Sequence, residues 1–319
     1  ILLGLSSIFS GVLQYFNRFL VYSLSPILYN LGIILGIVLG APSLGVFGVA
    51  LGVILGALLH FLIQVPSAVQ AGFHYKPVFD FKDPKIKRVF SLMLPRTLGV
   101  AAPQINLMVV TFIASSLPSG ALAIFSLSNN LQQFPLGLIG IPFAMAAFPV
   151  LSRSFAAKNK EEFSRFFSKT FRQVLYLAVP LSFLIFIFRN QIIEIILKSG
   201  RFSESSAQLA SASLGLFVLG VFATSLIPLV FRAFFAVQDT KTPTVIAVLA
   251  MILNVVLSFG FVWLLGFSNP FRDFIVKIFS LQNLNNIAVL GLPLAFSVDS
   301  ILQFILLMVF IKGRIAKKF

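Results

Sequence analysis

Residues 243–265 read PTVIAVLAMILNVVLSFGFVWLL, 23 consecutive positions without Asp, Glu, Lys or Arg. At 1.5 Å of rise per residue such a helix is about 35 Å long, enough to cross the roughly 30 Å hydrocarbon core of a bilayer. The stretch just before it, Gln238-Asp239-Thr240-Lys241-Thr242, is polar. Thr242 suits an N-cap and Pro243 the first helical position, where a missing N–H costs nothing. Asp239, Lys241, Thr242 and Pro243 are therefore read as a helix start at a membrane face. A gating role for them stays open, because the spacing does not require one.

The same pattern recurs along the chain. Eight further apolar segments are read as spans, the first of them cut short, at Ile1–Phe16, Tyr22–Leu39, Leu44–Val65, Leu92–Ser115, Ala121–Leu151, Thr170–Phe188, Ala207–Phe231 and Ile287–Ile311. Only 10% of the residues are charged and 58% are hydrophobic. Roughly 25% charge is usual for a soluble domain, so this apolar surface must face lipid as well as other helices. The reading is an all-α polytopic membrane protein with about nine transmembrane helices in this chain.

The net charge is +15. A nucleic-acid binder gathers its cations on a folded, water-facing surface. Here they lie between apolar spans, the pattern of cytoplasmic loops beside anionic phospholipid headgroups, so lipid and not nucleic acid is the expected partner. If nine spans alternate, one side receives Arg18, the Lys76–Arg96 and Arg153–Arg172 groups, Arg232, Lys241 and the four cations from Lys312 to Lys318. That is 19 of the 24 Lys and Arg, against five on the other side. The richer side is read as cytoplasmic, which places the C-terminal end of the chain there. Ile1 falls inside an apolar run with no basic leader before it, so further spans upstream are expected, an odd number if the true N-terminus is also cytoplasmic.

Between Lys158 and Arg172, Phe163, Phe166, Phe167 and Phe171 fall on one helical stripe among Lys, Arg and Glu. The expectation is an amphipathic helix lying flat on the membrane. Asn190–Ser199 is a weaker candidate of the same kind.

Polar groups inside spans need a partner, a cavity or a function. Asp299 lies midway along its span, a candidate for cation or proton coupling or for ion pairing, and equally for a helix-to-helix hydrogen bond. Gln104 and Asn106 follow Arg96 on the fourth span. The fifth holds Asn129, Asn130, Gln132 and Gln133, four amides in five residues that cannot all face lipid. Arg18 and Arg96 sit near interfaces, where they either snorkel to phosphates or contribute to an anion-binding surface. The substrate-binding candidates are thus Arg18, Arg96, Gln104, Asn106, Asn129, Asn130 and Gln133.

Chemistry at a protein active site finds little support. There is no Cys, and His60 and His74 are too few for a metal centre. No Ser-His-Asp, HExxH, Walker or dinucleotide pattern occurs. Asp80-Phe81-Lys82-Asp83 beside Pro84 reads as a turn. No enzyme activity, cofactor or metal is expected, with coupling to membrane potential or a monovalent cation in their place.

Several short motifs occur together: Asn17-Arg18-Phe19, Ser25-Pro26-Ile27-Leu28-Tyr29-Asn30, Pro95-Arg96-Thr97-Leu98-Gly99, Gln104-Ile105-Asn106-Leu107, Phe134-Pro135-Leu136-Gly137, Leu151-Ser152-Arg153-Ser154 and Gln238-Asp239-Thr240-Lys241-Thr242-Pro243. Their order and spacing resemble the MurJ/MviN family of lipid II flippases, in the multidrug/oligosaccharidyl-lipid/polysaccharide exporter superfamily. The resemblance implies a two-lobe, inverted-V transporter fold of fourteen helices, of which this chain resembles the fourth to the twelfth. It implies that residues 1–70 end the N-terminal lobe, 71–91 form a basic inter-lobe loop, 92–312 form the C-terminal lobe and 313–319 begin a basic tail. It further implies flipping of a lipid-linked peptidoglycan precursor across the bacterial inner membrane, and contact with cell-wall synthesis machinery. One departure stands out. Where the family pattern carries an Asp-Arg pair and a Glu, this chain has Asn129, Asn130 and Gln133, while Asp299 looks like its own addition. That departure keeps open export of another lipid-linked saccharide, cation-coupled drug export, or a non-transporting membrane scaffold.

Overall fold

A computed structural model describes residues 1–16, 18–73, 86, 101, 103–197, 203–282, 284 and 287–318. Among these residues there is helix and no strand. We number the helices α1 (Leu2–Tyr15), α2 (Phe19–Leu44), α3 (Val46–Gln70), α4 (Pro103–Ser116), α5 (Ala121–Ala156), α6 (Lys160–Ile187), α7 (Arg189–Leu197), α8 (Glu204–Val218), α9 (Val221–Ala236), α10 (Lys241–Leu265), α11 (Pro270–Phe279) and α12 (Gly291–Lys318).

Six helices among the described residues are long and apolar enough to cross a membrane, and α8 with α9 makes a seventh span bent by 44°. The shorter apolar helices α1 and α4 fall in the first and fourth expected spans. The bend does not sit at a proline: it falls at Leu219–Gly220, where Ser297 of α12 donates to the carbonyls of Leu216 and Phe217 at 2.7 and 3.0 Å. A hydroxyl from a neighbouring helix thus satisfies backbone acceptors at the break, a requirement for irregular backbone within a membrane.

The chain divides into two compact units, Ile1–Lys87 and Arg88–Phe319. In the first, α2 and α3 pack through a ladder of glycines. Gly32, Gly36 and Gly40 of α2 face Gly56, Gly52 and Gly48 of α3, so closely that a Cβ on Gly52 would stand 2.6 Å from the Gly36 Cα. Lipid tails are as apolar as leucine, so helices associate in a bilayer by close packing, and bare backbones permit the closest approach. α2 widens into a π-turn over Gly36–Gly40 within this contact. Further along α3, Ser6 of α1 lies 2.6 Å from His60 Nδ1, and Ser10 donates to Gln64 Oε1 at 3.1 Å.

In the second unit α10 lies along α12, while α9 packs on α6 and on the later half of α5. The expected flat-lying helix at Lys158–Arg172 is corrected here. Residues 160–187 form one continuous helix, and Phe163 and Phe167 are buried among Ala144, Ala147, Leu151, Leu229, Ala233 and Phe234. An amphipathic stripe looks the same in sequence whether lipid or protein covers it. The alanines of α5 and α9 leave room for the rings, so the stripe turns inward. Asn159 caps this helix by accepting from the Glu162 N–H at 3.0 Å. The weaker candidate at Asn190–Ser199 is a separate helix, α7, with Ile193 buried. Sequence reading missed α11, whose Asn269 N-cap accepts from the Arg272 N–H at 2.9 Å and whose Ile275 is buried.

Candidate functional site

The second unit contains a cavity of about 260 Å³ between α4, α5, α10 and α12. Gln104 and Asn106 line it from α4, Asn129 and Gln133 from α5, Asn254 from α10, and Leu292 and Phe296 from α12. Four of the substrate-binding candidates therefore converge. On α5 the spacing explains the selection, because Asn129 and Gln133 are one turn apart on one face while Asn130 points to another and is exposed. Gln132 is buried and donates to Asn129 Oδ1 at 3.1 Å, which orients that amide.

Two atoms give the cavity its chemistry. Asn106 Oδ1 and Asn254 Nδ2 are buried and have no hydrogen-bond partner among the described residues. One accepts and the other donates, so the wall offers both functions to a ligand bearing hydroxyls or phosphate oxygens. Asn254 was missed by sequence reasoning. The available signal was an amide within the otherwise apolar 243–265 run, one turn before Ser258, itself buried.

Asp299 is 7% exposed, and its Oδ1 lacks a hydrogen-bond partner among the described residues. Its position follows from the α10–α12 pairing. Gly291 abuts the backbone of Phe261 and Val262, and Ile246 shares an apolar cluster with Leu307 and Ile311, so the two helices run antiparallel. That register sets Asn254 at the level of Asp299. The carboxyl thus lies one turn beyond Phe296 on α12, next to the cavity and not in its lining.

The other candidates lie elsewhere. Arg18 belongs to the first unit, where it is exposed beside a cavity of about 340 Å³ with Ser67 and Gln70. Arg96 lies outside the described residues, as do His74 and the Asp80–Asp83 turn.

The helix start at 239–243 needs a correction. α10 begins at Lys241, so Pro243 is its third residue, and Thr242 is not the cap. Asp239 does the capping: Oδ1 accepts from the Thr242 N–H at 3.1 Å and Oδ2 from its hydroxyl at 2.8 Å. A carboxylate near a helix N-terminus also meets the positive end of the dipole, which favours Asp over Thr for the task. Asp239→Ala is expected to lower stability by about 1 kcal/mol, with Asp239→Asn recovering most of it, as read in thermal melts of the detergent-solubilised protein. Equal melting of all three would remove the capping role.

Comparison with known proteins follows the same lines. The family model described as "Lipid II flippase MurJ" matches residues 1–319. The chain belongs to the MurJ family. Among curated MurJ relatives, a probable lipid II flippase of Vibrio cholerae is 32% identical over 259 residues, covering 81% of this chain and 49% of that protein. A lipid II flippase of Burkholderia cenocepacia is 28% identical over 272 residues, covering 83% and 53%. The chain therefore spans about half the length of these MurJ relatives. Among solved structures, MurJ in an inward closed conformation superposes with a TM-score of 0.79 at 20% identity, over 99% of this chain and 62% of that one. An inward-facing multidrug transporter of the MATE family gives 0.73 at 12%, over 94% and 64%. The transporter fold expected for a MurJ chain is thus present, and the chain is part of a multi-pass membrane protein.

Proposed function

We propose that the protein containing this chain carries lipid II, the lipid-linked peptidoglycan precursor, from the cytoplasmic to the outer leaflet of a bacterial inner membrane by alternating access. The observation that carries this reading is the MurJ family match along residues 1–319. By family resemblance the first unit is the end of one lobe and the second unit belongs to the other, and in alternating access the headgroup crosses while the lipid tail stays in the bilayer.

The residues divide the work by chemistry. Arg18 and Arg96 supply cationic attraction for a pyrophosphate, and Arg suits its oxygens because its N–H groups form a fixed fork. Gln104, Asn106, Asn129, Gln133 and Asn254 provide neutral donors and acceptors. With the fifth-span cleft charges replaced by amides, recognition leans on hydrogen bonds more than on charge. Asp299 is the coupling group, responding to a proton or a monovalent cation, while membrane potential acts on the anionic headgroup. The 19 cations counted on one side keep the C-terminal end of the chain cytoplasmic, against anionic headgroups.

The test is complementation of a flippase-depleted bacterium by the full-length protein, with lipid II accessibility scored at the outer face. Wild type is expected to rescue, Arg96→Ala to lose rescue, Asp299→Ala to weaken it, and Asn130→Arg to retain it because Asn130 lies outside the cavity lining. Failure of every well-expressed, inserted version overturns the reading in favour of another lipid-linked cargo or a scaffold.

A further inference from the structure

His60 lies inside the span formed by α3, in a stretch with no charged residue. An ionisable side chain at membrane depth needs a partner, a cavity or a function. Its partners come from α1. Ser6 Oγ lies 2.6 Å from His60 Nδ1, and four residues on along both helices Ser10 donates to Gln64 Oε1 at 3.1 Å. The sequence offset is 54 in both pairs, so α1 and α3 run parallel at this contact. Gln64 Nε2 stands 3.4 Å from His60 Nδ1 and joins the two pairs into one cluster. Ser6 and Gln64 are buried, and His60 and Ser10 are half-buried.

The cluster has a direction. The Ser10 hydroxyl occupies Gln64 Oε1, which turns the Gln64 NH₂ toward the imidazole. Nδ1 therefore faces donors, and it is the bare nitrogen of a neutral ring whose proton sits on Nε2. Nε2 makes no hydrogen bond among the described residues.

A proton added at Nδ1 would set N–H against NH₂. A half-turn of the Gln64 amide removes that conflict, because it presents Oε1 to Nδ1 and NH₂ to the Ser10 oxygen. Ser6 adapts in the same way: its oxygen accepts from Nδ1–H while its proton goes to the His60 carbonyl, 3.4 Å away. Hydroxyls and amides permit this exchange because each both donates and accepts. The same four side chains thus satisfy either protonation state, and no helix has to move.

The surroundings hold little other charge. On α2 the Tyr29 ring stands edge-on to the imidazole, with centroids 6.4 Å apart. On α1 the titratable side chain is Tyr15, exposed and nine residues beyond Ser6. Arg18, beside Ser67 and Gln70, lies about two to three turns further along α3. It is the sole Lys, Arg, Asp or Glu between Ile1 and Tyr75.

We propose that His60, with Ser6, Ser10 and Gln64, is a proton-binding site of the first unit, in which uptake at Nδ1 reverses the hydrogen bonds that join α1 to α3. Its purpose rests on the transport reading, since a charge gained at membrane depth responds to the membrane potential and attracts an anionic headgroup. Protonation is measured without transport, so failure of one reading leaves the other standing.

Histidine-selective nitrogen-15 NMR of the full-length protein in nanodiscs tests it, with His60→Gln identifying the signal. At pH 8 the expected signal is a neutral ring with Nε2 protonated and Nδ1 bare, and between pH 8 and pH 5 both nitrogens should become protonated. Gln64→Leu leaves Nδ1–H without the amide oxygen. It should cut the ratio of protonated to neutral His60 at a given pH about tenfold, the worth of one hydrogen bond to a charged group. Gln64→Glu keeps the shape and places a carboxylate beside Nδ1, so it should raise that ratio about tenfold. Ser7→Ala, on the exposed side of α1, removes a hydroxyl that donates to the Gly4 carbonyl and should change nothing. A proton on Nδ1 at pH 8, or a ring still neutral at pH 5, overturns the proposal, and both are read on the wild type. A cluster that only ties α1 to α3 would lower the melting temperature in both Gln64 variants while the proton ratio stays put, which also overturns it.

Discussion

Gly52→Leu is expected to prevent assembly of the first unit, so that the full-length protein elutes as aggregate and fails to show a cooperative melt. A Cβ at this position would stand 2.6 Å from the Gly36 Cα and 2.9 Å from the Gly32 carbonyl oxygen. Overpacking that side chains can relieve typically costs about 1–3 kcal/mol. Here the obstacle is backbone, which has no rotamer to change, so α2 and α3 must separate and surrender the contact along the whole ladder. Gly11→Leu on α1 is the matched control, because nothing lies within 4 Å of its would-be Cβ. It carries the same change in helix propensity and side-chain size. Size-exclusion profiles and melting temperatures of the pair decide the matter: equal behaviour would mean that the two helices do not meet at Gly52.

The second large effect concerns α6. Phe163→Ala is expected to destabilise the second unit by about 3–5 kcal/mol, the usual cost of emptying a buried phenylalanine site. Phe183→Ala on the same helix, at 64% exposure, should stay within about 0.5 kcal/mol. Phe163→Lys separates the two accounts of this segment more sharply. A helix resting on the membrane surface would let the lysine snorkel to phosphates, whereas a ring packed among Ala147, Leu151, Ala233 and Phe234 leaves an ammonium no exit. Retention of wild-type melting by Phe163→Lys would restore the flat-lying helix.

The two cases show why some features were legible and others were not. The apolar runs could be recognised one segment at a time, because the cost of placing charge in a bilayer acts on each span alone. The glycines of 32–40 and 48–56 were in view as letters. Nothing in either run names its partner, and the ladder exists only when two helices lie antiparallel with one register. The phenylalanine stripe of 163–171 was recognised as amphipathic and assigned to lipid, since periodicity reports that a face is covered and not what covers it. On α5 the four amides were visible as a cluster. Which of them share a cavity followed from helical phase, one turn between Asn129 and Gln133, and from the arrival of α4 and α10 opposite.

The binding candidates divide in the same way. Gln104, Asn106, Asn129 and Gln133 were chosen because an amide at membrane depth needs a reason, a local energetic rule, and all four line one cavity. Asn254 escaped because a lone amide in a long apolar run is affordable to a membrane helix. Its significance came from α12, which places Asp299 at its level.

By itself the sequence determined that this chain is a set of membrane-spanning helices, because transfer of each segment into lipid depends on that segment's own composition. It also carried the family motifs, because these are local in order and spacing. Only the tertiary structure decided which glycines touch, which face of α6 turns inward and which amides enclose a common space. Those outcomes depend on the register between helices far apart in the chain, and packing sets that register through atoms on both partners at once.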